Sequence, residues 1–200
     1  MILTKQYYEY RYNGQVQRLG DEHAPVVLHC EQKGAARLTC ERFAPVETIT
    51  GIELAPVPAS DADAIRWLQA LIWPEHRDRA SRFMKAAGLL RKRPPRIIAG
   101  NAAEILPDLL RSVSRDAALC VYHSYTLNQC TQAIRDNILA SLLSSRHPRA
   151  FYRIGLEWYS GQAMPHLELF TYDGGTMTHE LLAYCESHGR DIDWRMSPAP

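Results

Sequence analysis

From about residue 48 onward, short β-branched apolar runs alternate with longer segments in which apolar side chains recur with helical spacing. The first pattern is typical of buried strands and the second of amphipathic helices. Such alternation predicts an α/β protein with parallel strands and right-handed crossovers. The predicted strands are 48–54, 96–99, 117–122 and 151–158, and the helices lie at 61–92, from 101 onward and at 127–143.

Two segments at the ends of the chain predict antiparallel pairs. Residues 167–172 and 176–184 flank Asp173-Gly174-Gly175, which favours a tight hairpin turn. Near the start, alternating tyrosines precede Asn13-Gly14, which suggests a second hairpin with a type I′ turn. A helix ending at this Gly is the alternative. The sheet is therefore predicted to be mixed.

Local signals place the helix boundaries. Ser60 is a suitable N-cap for the first helix, and Pro74 is expected to divide 61–92 into two helices and to begin the second. Asn101 and Glu104 have capping-box spacing at the start of the next helix, which Pro107 is expected to kink or restart.

Composition excludes several classes of protein. Of 200 residues, 46% are hydrophobic and 22% charged, and the net charge is +1, which fits neither disorder nor a strongly basic nucleic-acid binder. No apolar run is long enough to span a bilayer and no signal peptide is recognised, so we expect no membrane partner. The five cysteines are odd in number and lack C-x-x-C spacing, which predicts no metal site and a reducing cytoplasm, with Cys120 as a small core residue.

Polar residues stand where the predicted parallel strands end, and ligands of open α/β sheets bind at such ends. They are Glu53, Asn101, His123 and Glu157, with His188 joining them from the last hairpin. A carboxylate and an imidazole in one crevice could perform acid–base chemistry, so His123, Glu157 and His188 are the catalytic candidates. The alternative is that Asn101 only caps a helix, the glutamates are solvated, and His123 bonds a backbone group.

Two further features have simpler interpretations. Trp67 and Trp73 could line an aromatic pocket, but docking of a helix pair onto the sheet is favoured. The basic run 91–96 could contact nucleic acid, but no aromatic residues interleave with it, so a solvated helix end beside its own dipole is favoured.

The segments 49–56 and 100–107 resemble motifs of class I S-adenosylmethionine (SAM) methyltransferases. Ile49-Thr50-Gly51-Ile52-Glu53-Leu54-Ala55-Pro56 is similar to the second-strand motif, which implies that Glu53 binds the ribose hydroxyls of SAM. Gly100 to Pro107 is similar to the third-strand motif, whose acid approaches the adenine amine. Asn101 stands in place of that acid, so the implied contact is weaker.

A closer resemblance is to an uncharacterised bacterial family known as a domain of unknown function. It lies in Arg66-Trp67-Leu68, Ala70-Leu71, Trp73-Pro74-Glu75 and Arg79, followed by the Gly-Asn-Ala segment and by His188-Gly189 near Trp194. It implies that this chain is truncated, because relatives carry an earlier strand and a Gly-rich ligand loop. It also favours a helix for residues 7–12, as a remnant of the first crossover.

These observations predict a Rossmann-like, methyltransferase-type α/β domain at 48–200 behind an N-terminal extension at 1–47. The expected function is that of a methyltransferase-like protein without independent catalysis, which acts at most by binding a small molecule or by interacting with another protein chain. The alternatives are an active SAM-dependent methyltransferase and a weak nucleic-acid-binding module using 91–96. A missing first strand would leave a gap in the sheet beside the strands ending at Glu53 and His123. That gap predicts poor folding or self-association through open sheet edges, unless Val26–Cys30 fills it.

Overall fold

The computed structural model describes residues 6–34, 45–145 and 147–195, and all structural statements concern these residues. Ten strands, four helices and one 3-10 turn lie in them. The helices are α1 (Ala62–Ala70), α2 (Arg77–Lys92), α3 (Ala102–Ser112) and α4 (Gln132–Leu143), and the 3-10 turn is Leu127–Gln129. The strands are β1 (Gln6–Tyr12), β2 (Gln15–Gly20), β3 (Val26–Gly34), β4 (Thr50–Glu53), β5 (Arg96–Ala99), β6 (Cys120–Ser124), β7 (Phe151–Glu157), β8 (His166–Asp173), β9 (Thr176–Cys185) and β10 (Asp191–Trp194).

Eight of these strands form one mixed sheet in the order β2-β1-β3-β10-β9-β8-β7-β6. Within it β6 and β7 are parallel, and β7, β8 and β9 follow one another as an antiparallel meander. β4 and β5 pair in parallel as a separate two-stranded sheet. The mixed α/β class is therefore confirmed, but the four predicted parallel strands are divided between two sheets.

The chain divides into two compact units. The first holds 6–29 and 45–100, with the β1–β2 hairpin, the β4–β5 pair, α1 and α2. The second holds 30–34, 101–145 and 147–195, with α3, α4 and the strands from β6 to β10. Ala183, Cys185 and Trp194 form a buried cluster in the second unit, where the Trp194 indole donates a hydrogen bond of 2.7 Å to the Gln32 side chain.

Both predicted hairpins are present. Asn13 and Gly14 have φ of 48° and 78°, the left-handed conformation that a type I′ turn requires, and Tyr12 pairs with Gln15. The helix that the family resemblance favoured for residues 7–12 is therefore wrong, because the alternating tyrosines form a strand. Gly174 and Gly175 likewise have φ of 54° and 84° between β8 and β9.

The helix boundaries agree in outline with the sequence signals. Pro74 separates α1 from α2 as predicted, but α2 begins at Arg77 rather than at the proline. Asp61, not Ser60, caps α1, since its side chain accepts hydrogen bonds from the N–H groups of Asp63 and Ala64. Helix α3 continues through Pro107 without a restart.

Two predictions about burial are wrong. Strand β6 is the edge of the large sheet and alternates between exposed and half-buried positions, so Cys120 is exposed rather than in the core. Trp67 and Trp73 are 67% and 73% exposed, which contradicts their expected role in docking helices onto a sheet.

The gap predicted in the sheet stays a prediction. β6 pairs only with β7, and β4 only with β5, among the described strands. Val26–Gly34 lies between β1 and β10, so the segment Val26–Cys30 does not pair with β4 or β6. Self-association through these edges is not tested by the fold.

Candidate functional site

Glu157 is the residue around which the candidate site is built. It ends β7 at the carboxyl end of the parallel β6–β7 pair, and only 2% of it is exposed. Its carboxylate accepts hydrogen bonds of 3.0 Å from the backbone N–H groups of Thr126, Leu127 and Asn128. These three donors belong to the turn after β6, so the turn is shaped around a buried anion.

This carboxylate explains why the predicted helix 127–143 does not begin at Leu127. The N–H groups bound to Glu157 open a short 3-10 turn, and α4 begins only after Thr131, whose hydroxyl caps it. Tyr125, in the same turn, has φ of 51°, a backbone conformation that is strained for residues other than glycine. The buried carboxylate therefore holds a strained turn at the end of β6.

Burial by itself would raise the pKa of Glu157, because it disfavours the charged form. Hydrogen bonds from His123 and from the three backbone N–H groups outweigh that effect, so the pKa lies below its ordinary value of 4.5. Glu157 is therefore an anion at neutral pH.

His123 connects this anion to a buried arginine. Its Nδ1 lies 2.6 Å from Glu157 Oε1, and its Nε2 lies 3.1 Å from Arg153 Nη1. The carboxylate can only accept and the guanidinium can only donate, so Nδ1 carries the proton and Nε2 is the acceptor. The chain of contacts specifies one neutral tautomer of His123.

Gly155 provides the space for the imidazole. It pairs with His123 across β6 and β7, and a Cβ atom placed on it would lie 2.8 Å from His123 Cε1. Any larger residue would displace the ring from its position between Glu157 and Arg153.

Arg153 is 6% exposed and is fixed on three sides. Its Nε donates to the Tyr172 hydroxyl at 3.1 Å, Nη1 donates to His123, and its guanidinium lies 3.5 Å from the centroid of the Phe170 ring. No carboxylate of the described chain lies within 4 Å of it, and its Nη2 makes no hydrogen bond there. A buried cation thus has one donor nitrogen available.

A cavity of about 380 Å³ lies over this network, wholly within the second unit. Its charged side chains come from the strands, and α4 contributes aliphatic side chains. The lining residues are His123, Leu127, Leu139, Ala140, Leu143, Arg153, Glu157, Tyr159, Glu168, Phe170, Tyr172 and Met177. Burial, followed by the charge of Glu157, raises the pKa of Tyr159, so its hydroxyl stays protonated at neutral pH.

The sequence-predicted residues divide into two groups. His123 and Glu157 lie together in this cavity, as the sequence suggested. Glu53 is exposed at the end of β4, and within the described residues its carboxylate accepts a single 3.4 Å hydrogen bond, from the Ala55 N–H. Asn101 caps α3 by accepting from the Ala103 N–H at 3.0 Å, and His188 lies in the turn between β9 and β10, away from the cavity lining.

Sequence reasoning missed Arg153, Phe170, Glu168 and His179. A signal for Arg153 was present, because Phe151, Arg153, Gly155 and Glu157 alternate with residues of the opposite face in a predicted strand. The other three come into contact only through the register of β7, β8 and β9, which the sequence does not reveal.

Three other expectations concern metals, charge and membranes. No group of three or more His, Cys, Asp or Glu side chains suited to a metal occurs in the described part of the chain. Arg91 and Lys92 lie in the last turn of α2, where the helix dipole favours cations. None of the described helices has the length and apolar character needed to cross a bilayer.

The fold and site define a mixed α/β protein with a buried glutamate–histidine–arginine network. A family model described as "Uncharacterized protein conserved in bacteria (DUF2332)" matches residues 2–194. The chain therefore belongs to this bacterial family. No curated protein and no solved structure matches it.

Proposed function

We propose that this chain is a small-molecule-binding protein whose ligand places a negatively charged group against Arg153 and an apolar body along α4. The observation that carries the proposal is the buried guanidinium, which faces a cavity without a carboxylate partner. Burying an unpaired charge costs several kcal/mol of desolvation free energy. An anionic ligand would offset that cost by pairing with the guanidinium.

The contacts of Arg153 prepare it for such a ligand. Tyr172, His123 and Phe170 hold the guanidinium in one orientation. A planar guanidinium binds carboxylates and phosphates through its N–H groups. Because the orientation is set before binding, little side-chain entropy is lost when the ligand arrives.

The rest of the cavity suits an apolar group. Leu139, Ala140 and Leu143 of α4 line it together with Phe170 and Met177 of the sheet. A few placed polar groups in an otherwise apolar cleft are typical of small-molecule sites.

Binding without catalysis agrees best with the state of His123. A histidine held by a carboxylate at Nδ1 could act as a base through Nε2, but Arg153 already occupies that nitrogen. The proposal includes a methyltransferase-like ancestry, supported by two parallel strand pairs joined by helical crossovers and followed by an antiparallel hairpin. SAM-dependent methyl transfer has less support, because the Asn101 side chain caps its own helix.

The test compares an aryl carboxylate with its uncharged counterpart, using ligand-observed NMR at pH 8. We expect 3-phenylpropionate to bind at least tenfold more tightly than 3-phenylpropanamide. Arg153→Gln should abolish the difference, whereas Arg149→Gln, at an exposed arginine outside the cavity, should preserve it.

A second variant covers the case in which Arg153→Gln fails to fold. Leu143→Trp, at a half-exposed position of the lining, should narrow the cavity and weaken 3-phenylpropionate without removing any charge. Equal measurable binding of the acid and the amide would overturn the proposed function, as would an unchanged preference for the acid in Arg153→Gln.

A further inference from the structure

The cavity contains a second charge that the proposed function does not use. Glu168 lies on β8 opposite Gly155, two positions from Phe170, which is opposite Arg153. Glu168 and Arg153 are therefore diagonal neighbours on adjacent strands, and both line the cavity. No ion pair joins them, so their charged groups are more than 4 Å apart.

Only one of the two carboxylate oxygens of Glu168 has a hydrogen-bond partner within the described residues. Its Oε1 lies 2.8 Å from His179 Nε2, and its second oxygen makes no hydrogen bond within the described residues. His179 itself stacks on Phe170, a residue of the cavity lining, with a centroid separation of 4.5 Å. The side chain of Glu168 is 17% exposed, which leaves the carboxylate shielded from most of the solvent.

The other charged groups near this end of the cavity are already engaged. Glu157 is saturated by His123 and three backbone N–H groups. Arg135 donates to the carbonyl oxygens of Leu127 and Cys130 and lies over the Tyr159 ring. Arg153 and Glu168 are thus the cation and the anion that remain for a ligand.

We infer that the natural ligand is a zwitterion of the α-amino-acid class with an apolar side chain, its carboxylate on Arg153 and its ammonium group on Glu168. This inference rests on the proposed function, since it concerns the same cavity. A simple anion would gain Arg153 but would meet the field of Glu168 nearby, whereas a zwitterion complements both charges. Its side chain would occupy the apolar wall formed by α4.

The experiment uses three compounds that share a phenylethyl body and differ in their charged groups: L-phenylalanine, 3-phenylpropionate and 2-phenylethylamine, titrated into the full chain at pH 8. We expect L-phenylalanine to bind at least tenfold more tightly than either singly charged compound. Phenylalanine amide, which loses the carboxylate, should likewise bind at least tenfold more weakly than L-phenylalanine.

The decisive variant is Glu168→Gln, which keeps the size of the side chain and removes its charge. It should weaken L-phenylalanine about tenfold, strengthen 3-phenylpropionate, and bring the two affinities together. Glu180→Gln, on the neighbouring strand β9 and outside the cavity lining, is the matched control and should leave the order unchanged.

The outcomes separate this inference from the proposed function. If 3-phenylpropionate binds through Arg153 as tightly as L-phenylalanine, the zwitterion inference is wrong and the anion site stands. If none of the carboxylates binds, the proposed function itself fails. Should Glu168→Gln lower the melting temperature strongly, the ratio of the wild-type affinities for the four compounds still decides the question.

Discussion

The two parallel strand pairs of this protein carry the same kind of polar residue at the same kind of position, but only one of them builds a site. At the end of β4, Glu53 is exposed and has a single weak backbone contact. At the end of β7, Glu157 is buried and accepts four hydrogen bonds. A carboxylate at the end of a parallel strand is therefore not sufficient to form a buried site.

The difference lies in what surrounds each carboxylate. The turn after β6 directs three successive N–H groups at Glu157, and Gly155 leaves room for the imidazole beside it. The backbone after β5 contributes one N–H, from Gly100, and it bonds the backbone oxygen of Glu53. A buried anion needs several fixed donors, and only the β6–β7 pair supplies them.

The largest expected difference between the two pairs is in stability. Glu157→Gln should lower the free energy of unfolding by about 2–4 kcal/mol, because it leaves buried donors facing an amide that satisfies fewer of them. The matched change Glu53→Gln should alter it by less than about 0.5 kcal/mol. Urea unfolding followed by circular dichroism measures both, and equal effects would remove the distinction drawn between the pairs.

A second comparison uses a glycine in each pair. Gly155→Ala should cost about 1–3 kcal/mol, because its Cβ would lie 2.8 Å from His123 and displace the ring. At Gly51 the nearest atom to an added Cβ is Ile97 Cγ1 at 3.6 Å, an ordinary contact, so Gly51→Ala should cost less than about 0.5 kcal/mol. Thermal melting of the two variants checks the prediction, and a cost for Gly51→Ala equal to that for Gly155→Ala would contradict it.

The stabilisation provided by Glu157 should depend on pH. The folded-state pKa of Glu157 is lowered, so its contribution to stability is complete above the unfolded pKa near 4.5 and is lost as pH falls through the folded value. Glu186 behaves in the same direction, because hydrogen bonds from Arg190 outweigh its burial. Unfolding free energies measured from pH 6 to 3 should fall less steeply for Glu157→Gln than for the wild type. Parallel curves would show that Glu157 is not held as an anion.

The smallest expected effect concerns SAM, which we do not expect to bind. We expect SAM to give no heat of binding and no change in melting temperature, since Glu53 is exposed and the Asn101 oxygen already accepts from Ala103. Isothermal titration calorimetry that gives a dissociation constant in the low micromolar range would contradict this prediction and would make the β4–β5 pair the functional one.

Much of the local structure followed from particular residues. Asn13-Gly14 and Gly174-Gly175 predicted two hairpins because few other residues adopt positive φ without strain. Asn101 predicted a helix start because its side chain can replace a missing backbone acceptor. His123 and Glu157 were candidates because each stands near the end of a predicted strand.

The sequence by itself thus determined most of the helices and strands, the two hairpin turns and two members of the candidate site, since these depend on interactions between residues near each other in the chain. Only the tertiary structure decided that β4–β5 and β6–β7 lie in different sheets and that Arg153, Phe170 and Glu168 converge on one cavity. Those contacts join residues on different strands, and a shift of register by one residue would turn each side chain to the opposite face. The order and register of strands arise from packing of the whole domain, which no local pattern encodes.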